Sequence, residues 1–210
     1  MAQAQTDGSE GTPPSVATSA SDAHQASEPA STASALYDSL TGLPNRALME
    51  DRLAQTAQIY RQQGYMAVFA VIGLDGLRAI NDRYGTAAGD FVLQEMARRM
   101  SKCLRAGDSL GRLGGDTFGL LMCGLEDESP CEAEFKHWLA AVSEPMTLPG
   151  GESISLTATI GASMFPDHGV DGVIAQAEDA LRDAKESSRG SFQYAPPPNP
   201  LRLLKRLGYA

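Results

Sequence analysis

The chain has 210 residues and a formal net charge of −9, enough for one domain of ordinary size with a single core and tails. An acidic balance excludes a broad nucleic-acid-binding face or adsorption to an anionic membrane, so any phosphate recognition must come from a local basic cluster. Three cysteines, Cys103, Cys123 and Cys131, show neither metal-ligand spacing nor an even disulfide framework, as expected of structural thiols in a reducing cytoplasm.

Residues 1–34 are rich in Ala, Ser, Thr, Gln and Pro with scarcely a large apolar side chain. They cannot bury enough surface to offset the entropy of ordering, so a disordered tail is expected, followed by one domain over 35–195. After Pro44, a helix is predicted over 46–63, with Leu48, Leu53 and Ile59 among its apolar positions. The continuous apolar run 66–74 has the length of a central strand covered on both faces, and is too short to cross a bilayer. No basic segment followed by an apolar one opens the chain, so a soluble, unexported protein is expected.

Val92, Met96, Met100 and Cys103 recur along one stripe of a helix predicted over 89–105. The stretch Arg112-Leu-Gly-Gly-Asp-Thr-Phe-Gly-Leu-Leu-Met122 then carries the strongest hairpin signal in the chain. Gly114 and Gly115 can take positive φ without steric cost, which suits a tight turn between strands. Beyond the turn, Phe118, Leu120 and Met122 alternate with Thr117, Gly119 and Leu121, which predicts a strand with one buried face and Asp116 at its mouth. A helix over 130–143, a strand over 154–164, a helix over 173–187 and a last strand over 191–194 follow. Gly190 is suited to ending the last helix. Strands alternating with helices give a central sheet with helices packed on it.

Residues 196–210 place a stiff proline spacer before a short basic, leucine-rich segment. It offers a docking helix for a protein partner, against the plainer alternative of a frayed terminus.

Four stretches carry a family resemblance. Asp38-Ser-Leu-Thr-Gly-Leu-Pro-Asn-Arg46, Asp75-Gly-Leu-Arg-Ala-Ile-Asn-Asp-Arg-Tyr-Gly85 with Gly89-Asp90, the glycine hairpin, and Ala184-Lys-Glu-Ser-Ser-Arg189 stand in the order and spacing of the GGDEF domain. The chain thus resembles the diguanylate cyclase family, with Thr117 where the family has Glu. The resemblance implies a palm-like α+β fold like that of class III nucleotidyl cyclases: a mainly antiparallel sheet of about five strands flanked by helices. It also implies an upstream sensor or receiver that pairs two catalytic domains. Nothing in residues 1–34 fits one, which leaves a homodimer open.

Joining two GTP into cyclic di-GMP needs cations that bridge phosphates, and hard Mg²⁺ needs carboxylates to hold it. In the family two carboxylates do this and a third acidic group assists. Here Asp116 keeps one place, but counting back eight residues from Asn81 puts Gly73 at the other, and Thr117 is neutral. Asp75 shares the sheet face of Gly73 and is a weak candidate to share cation duty. The binding groups implied by the resemblance are better kept: Asn81 and Asp90 for guanine, with Arg78, Lys185 and Arg189 for phosphates. The plainer reading of Asn81 and Asp90 is helix capping, and of Lys185 and Arg189 a solvated helix end.

Arg105-Ala-Gly-Asp108 matches the family's Arg-x-x-Asp inhibitory site for cyclic di-GMP. Arg offers a planar fork to phosphate or to the guanine Hoogsteen edge, and Asp accepts from guanine. The plainer reading is an ion pair bracing the turn. The expectation is therefore a catalytically degenerate domain that binds cyclic di-GMP or GTP, with Mg²⁺ only if GTP binds. The alternatives are a residual diguanylate cyclase and a nucleotide-independent scaffold.

Overall fold

The computed structural model describes residues 35–63, 66–125, 129–165 and 170–196. The expectations for residues 1–34, and for the tail beyond Pro196, lie outside the described residues. In chain order the elements are α1 (Arg46–Gln63), β1 (Met66–Asp75), α2 (Leu77–Tyr84), α3 (Thr86–Lys102), β2 (Ser109–Gly114), β3 (Thr117–Leu125), α4 (Ser129–Ser143), β4 (Met146–Thr147), β5 (Ser153–Ile154), β6 (Thr157–Phe165), α5 (Val170–Ser187) and β7 (Phe192–Tyr194).

Five strands form the main sheet in the order β2-β3-β1-β6-β7. All neighbours are antiparallel except β6 and β7. The expected mainly antiparallel, helix-flanked sheet is therefore present. Among the described residues no helix is long and apolar enough to cross a membrane.

β1 is the middle strand, and its alternation sorts the core into two layers. Val68, Ala70, Ile72 and Leu74 pack with Val92, Leu93, Met96 and Met100 of α3 and with Phe135, Trp138 and Val142 of α4. Ala67, Phe69 and Val71 face Met49, Leu53 and Ala57 of α1 and Val173, Ile174, Ala177 and Leu181 of α5. Gly73 and Asp75 continue this second face by parity.

Several expectations need correction. β3 is buried on both faces through Phe118, Gly119, Leu120, Leu121 and Met122, because it lies between β2 and β1 with a helical layer on each side. Its alternation assigns residues to two cores, not to core and solvent. Ile59 is 51% exposed, and the buried stripe of α1 runs through Met49, Leu53 and Ala57. The strand expected over 154–164 is broken: Ser153–Ile154 pairs with Met146–Thr147 in a separate two-stranded ribbon, and β6 begins at Thr157. α2 was not foreseen. It is a short helix set between positive-φ Gly76 and Gly85, with Leu77 and Ile80 buried, too brief to display a period.

One contact fixes where α5 lies. A Cβ built on Gly161 would meet Leu181 N at 2.1 Å and Ala177 O at 2.2 Å. The α5 backbone rests directly on a bare strand, and no larger residue fits there without moving the helix. One turn past Leu181, the same stripe of α5 brings Lys185 over the end of β1.

Candidate functional site

Two adjoining cavities of about 430 Å³ each open at the C-terminal end of β1, and Leu77, Arg78 and Asp116 line both. The first is bounded by Asn81, Thr86, Gly89, Asp90, Leu93, Arg112 and Gly115. The second is bounded by Leu74, Asp75, Asp82, Lys185 and Arg189, among others. Sequence-predicted residues from three of the four stretches thus meet in one cleft.

In the first cavity, α2 and α3 approach so closely that a Cβ on Gly89 would lie 1.8 Å from Asn81 Oδ1. That oxygen is buried with no hydrogen-bond partner. An unpaired buried acceptor costs roughly 1–3 kcal/mol. Asp90 is exposed on the next position of α3. Neither Asn81 nor Asp90 caps a helix: Gly76 and Gly85 occupy the cap positions, with no side-chain cap bond.

The second cavity is built around the hairpin tip. Gly114 and Gly115 sit at φ 136° and 52°, as the turn chemistry required. Leu74 N donates to Asp116 O at 3.0 Å, tying the hairpin to the end of β1, where Gly73 pairs with Thr117. Thr117 Oγ1 donates to Asp116 Oδ1 at 3.2 Å. Asp116 Oδ2 faces Lys185 Nζ at 4.0 Å. Arg78 projects into solvent with an Asp82 contact of 3.9 Å, a pair of negligible strength at that exposure.

Gly73 decides what this end can hold. A Cβ built on it would lie 2.6 Å from Lys185 Nζ and 2.8 Å from Cε. The end of the lysine therefore lies over Gly73 and would have to shift for a side chain there. The donor set opposite Asp116 is an ammonium, not a second carboxylate, and it does not fit a divalent cation gripped from both sides. Among the described residues no three His, Cys, Asp or Glu side chains converge on a metal position. Asp75 is turned toward β6, where Oδ2 accepts from Thr157 Oγ1 at 3.0 Å and Thr159 Oγ1 at 2.8 Å. Its Oδ1 is buried without a partner.

Sequence reasoning missed the anchor of the hairpin. Arg112 donates through Nη1 to both Asp38 oxygens at 3.0 and 3.1 Å, and through Nε and Nη2 to Gly115 O at 3.2 and 2.8 Å. Asp38 also accepts from Thr41 N and Oγ1. Burial opposes ionisation of Asp38, but the Thr41 hydroxyl and N–H and the Arg112 guanidinium outweigh it and leave its pKa below the ordinary value. The signal was present, since Asp38 and Arg112 both lie in stretches that were singled out, but pairing across 74 residues has no local trace.

The Arg105–Asp108 turn lies apart from the cleft. Arg105 Nε donates to Asp108 Oδ2 at 3.1 Å, and Cys123 N donates to Asp108 Oδ1 at 3.1 Å. The Asp108 side chain is 3% exposed against 35% for Arg105. Both carboxylate oxygens are spent inside the protein, so the group this turn offers to a ligand is the guanidinium. Arg105 Nη2 is buried without a partner, and the Asp108 hydrogen bond, opposed by burial, raises the arginine's pKa further.

Residues 35–191 match the family described as diguanylate cyclase, GGDEF domain. The chain is 35% identical over 161 residues to diguanylate cyclase TpbB of Pseudomonas aeruginosa, a match spanning 76% of this chain and 37% of that protein. It therefore covers little more than a third of that relative. The GGDEF domain of TpbB superposes with a TM-score of 0.74 at 34% identity, over 80% of this chain and 99% of that one. A microbial GGDEF domain described in its interaction with cyclic di-GMP gives a TM-score of 0.67 at 26% identity, over 78% and 98% of the two chains.

Proposed function

The chain belongs to the diguanylate cyclase GGDEF-domain family, and from that premise we propose that it binds guanine nucleotides as a signalling module without condensing GTP. One observation carries this reading. Gly73, paired with Thr117 next to Asp116, has no side chain, and the Lys185 ammonium lies 2.6 Å from where its Cβ would be. A family cyclase uses the cation to neutralise charge developing on the transferred phosphoryl group. Thr117, hydrogen-bonded to Asp116, supplies no charge either. The binding end of the cleft keeps Asn81, Gly89 and Asp90, so affinity for the base can outlast loss of chemistry.

Cyclic di-GMP is the proposed regulatory ligand, read by the Arg105 fork with Asp108 holding it in place. The relative described with cyclic di-GMP supports that choice. The basic, leucine-rich C-terminal segment, or a second copy of the chain, would pass the signal on.

Incubation of purified protein with GTP and Mg²⁺ or Mn²⁺ is expected to yield no cyclic di-GMP by chromatography. A second reading, residual cyclase activity, is favoured by Asp75 Oδ1, a buried acceptor without a partner in the same cavity as Asp116. Product that accumulates and disappears in Asp116→Ala would establish it. For the regulatory ligand, Arg105→Lys keeps the charge beside buried Asp108 but removes the fork. Calorimetric titration with cyclic di-GMP is expected to lose its signal in that variant, and unchanged affinity would reject the assignment.

A further inference from the structure

Resting on the nucleotide-binding reading above, we infer that Lys185 is the built-in cation of this cleft, so that the chain holds the phosphate chain of a nucleoside triphosphate without a divalent metal. The inference starts from packing. Gly161 lets α5 lie directly on β6, and the helical stripe through Leu181 then carries Lys185 across Gly73, where its Nζ and Cε come within 2.6 and 2.8 Å of the place a Cβ would take. The ammonium stops 4.0 Å from Asp116 Oδ2, on the side away from the Thr117 hydroxyl that binds Oδ1. Asp116 is thus flanked by a hydroxyl and a positive charge.

Electrostatics point the same way. Three cations, Arg78, Lys185 and Arg189, line this cavity against three carboxylates, Asp75, Asp82 and Asp116. Asp75 is bound by two threonine hydroxyls, and Asp82 sits at the outer rim beside Arg78. A cleft carrying acids at both 73 and 117 would be strongly negative and would repel a polyphosphate until a metal entered. Absence of those two acids changes the local charge by as much as one divalent cation brings. A polyphosphate can then meet Lys185 and Arg189 directly, by charge-assisted hydrogen bonds.

The test is calorimetric titration of the full chain with GTP in EDTA and again in excess Mg²⁺. Dissociation constants agreeing within about twofold are expected. Lys185→Met should weaken binding by about tenfold or more in EDTA. Lys136→Ala, which removes a charge from exposed α4, should change nothing. Gly73→Asp is sterically accommodated because only the flexible end of Lys185 must move, and it should make binding depend on Mg²⁺. Wild-type affinity that falls tenfold or more in EDTA overturns the inference while leaving nucleotide binding intact. Absence of binding in both buffers overturns both. Cyclic di-GMP appearing in the Mg²⁺ cell overturns the non-cyclase reading alone, since the EDTA titration still decides the role of Lys185.

Discussion

The two ends of the cleft are built differently. At the base end, α2 and α3 bring Asn81, Gly89 and Asp90 together, and the buried, unpaired Asn81 Oδ1 retains the form of a recognition group. At the phosphate end, the strand terminus and hairpin keep Asp116 but present Gly73, Thr117 and an intruding Lys185. In the reading proposed above, recognition would rest on a helix–helix contact and chemistry on a strand–hairpin contact, so substitutions in one need not disturb the other.

The most severe challenge to this contrast is to rebuild the phosphate end alone. Gly73→Asp with Thr117→Glu should raise cyclic di-GMP synthesis from undetectable to measurable, by roughly 10²–10⁴ over background, in Mg²⁺ and not in EDTA. Product chromatography reads it directly. Silence from a folded double variant would mean that the deficit lies elsewhere.

Blocking the base end should do the converse. Gly89→Ala puts a methyl where Asn81 Oδ1 now lies and should weaken GTP binding by about tenfold or more. The helix itself gains up to about 1 kcal/mol from alanine. Calorimetry and urea denaturation together separate those two effects, and unchanged affinity would remove Asn81 from the site.

The hairpin anchor serves both ends, and its loss should blur the contrast. Arg112→Ala leaves Asp38 without its guanidinium and frees Gly115 O. Stability should fall by about 2 kcal/mol, read as a lower urea midpoint, and GTP binding should weaken in parallel.

The smallest effect is acid sensitivity. The folded pKa of Asp38 is lowered, so its contribution is complete above the ordinary value of 3.8 and is lost as pH falls through the folded value. Urea midpoints measured from neutral pH into this acid range should fall less steeply in Asp38→Asn than in the wild type. Identical slopes would contradict the clasp.

Much of this was legible from residue pattern. The apolar run of β1, the methionine stripe of α3 and the glycine turn each announced their element, because local period and turn chemistry suffice for them. The second buried face of β3 was not legible, since alternation between two cores looks the same as alternation between core and water. Nor was the relation of Lys185 to Gly73, which depends on how closely α5 approaches Gly161 across the sheet. The pattern gave Gly73 and Thr117 as the residues at these positions, but not the ammonium beside Asp116. Likewise the sequence of the Arg105 turn offered both residues to a ligand, while the packing against Cys123 N turned Asp108 inward.

The most direct measurement is a crystal structure of the chain grown with a non-hydrolysable GTP analogue and Mn²⁺, with anomalous scattering used to locate the metal. The account predicts guanine against Asn81 and Asp90, phosphates on Lys185 and Arg189, and no manganese between Asp116 and the end of β1. Two ordered manganese ions in that cleft would contradict it.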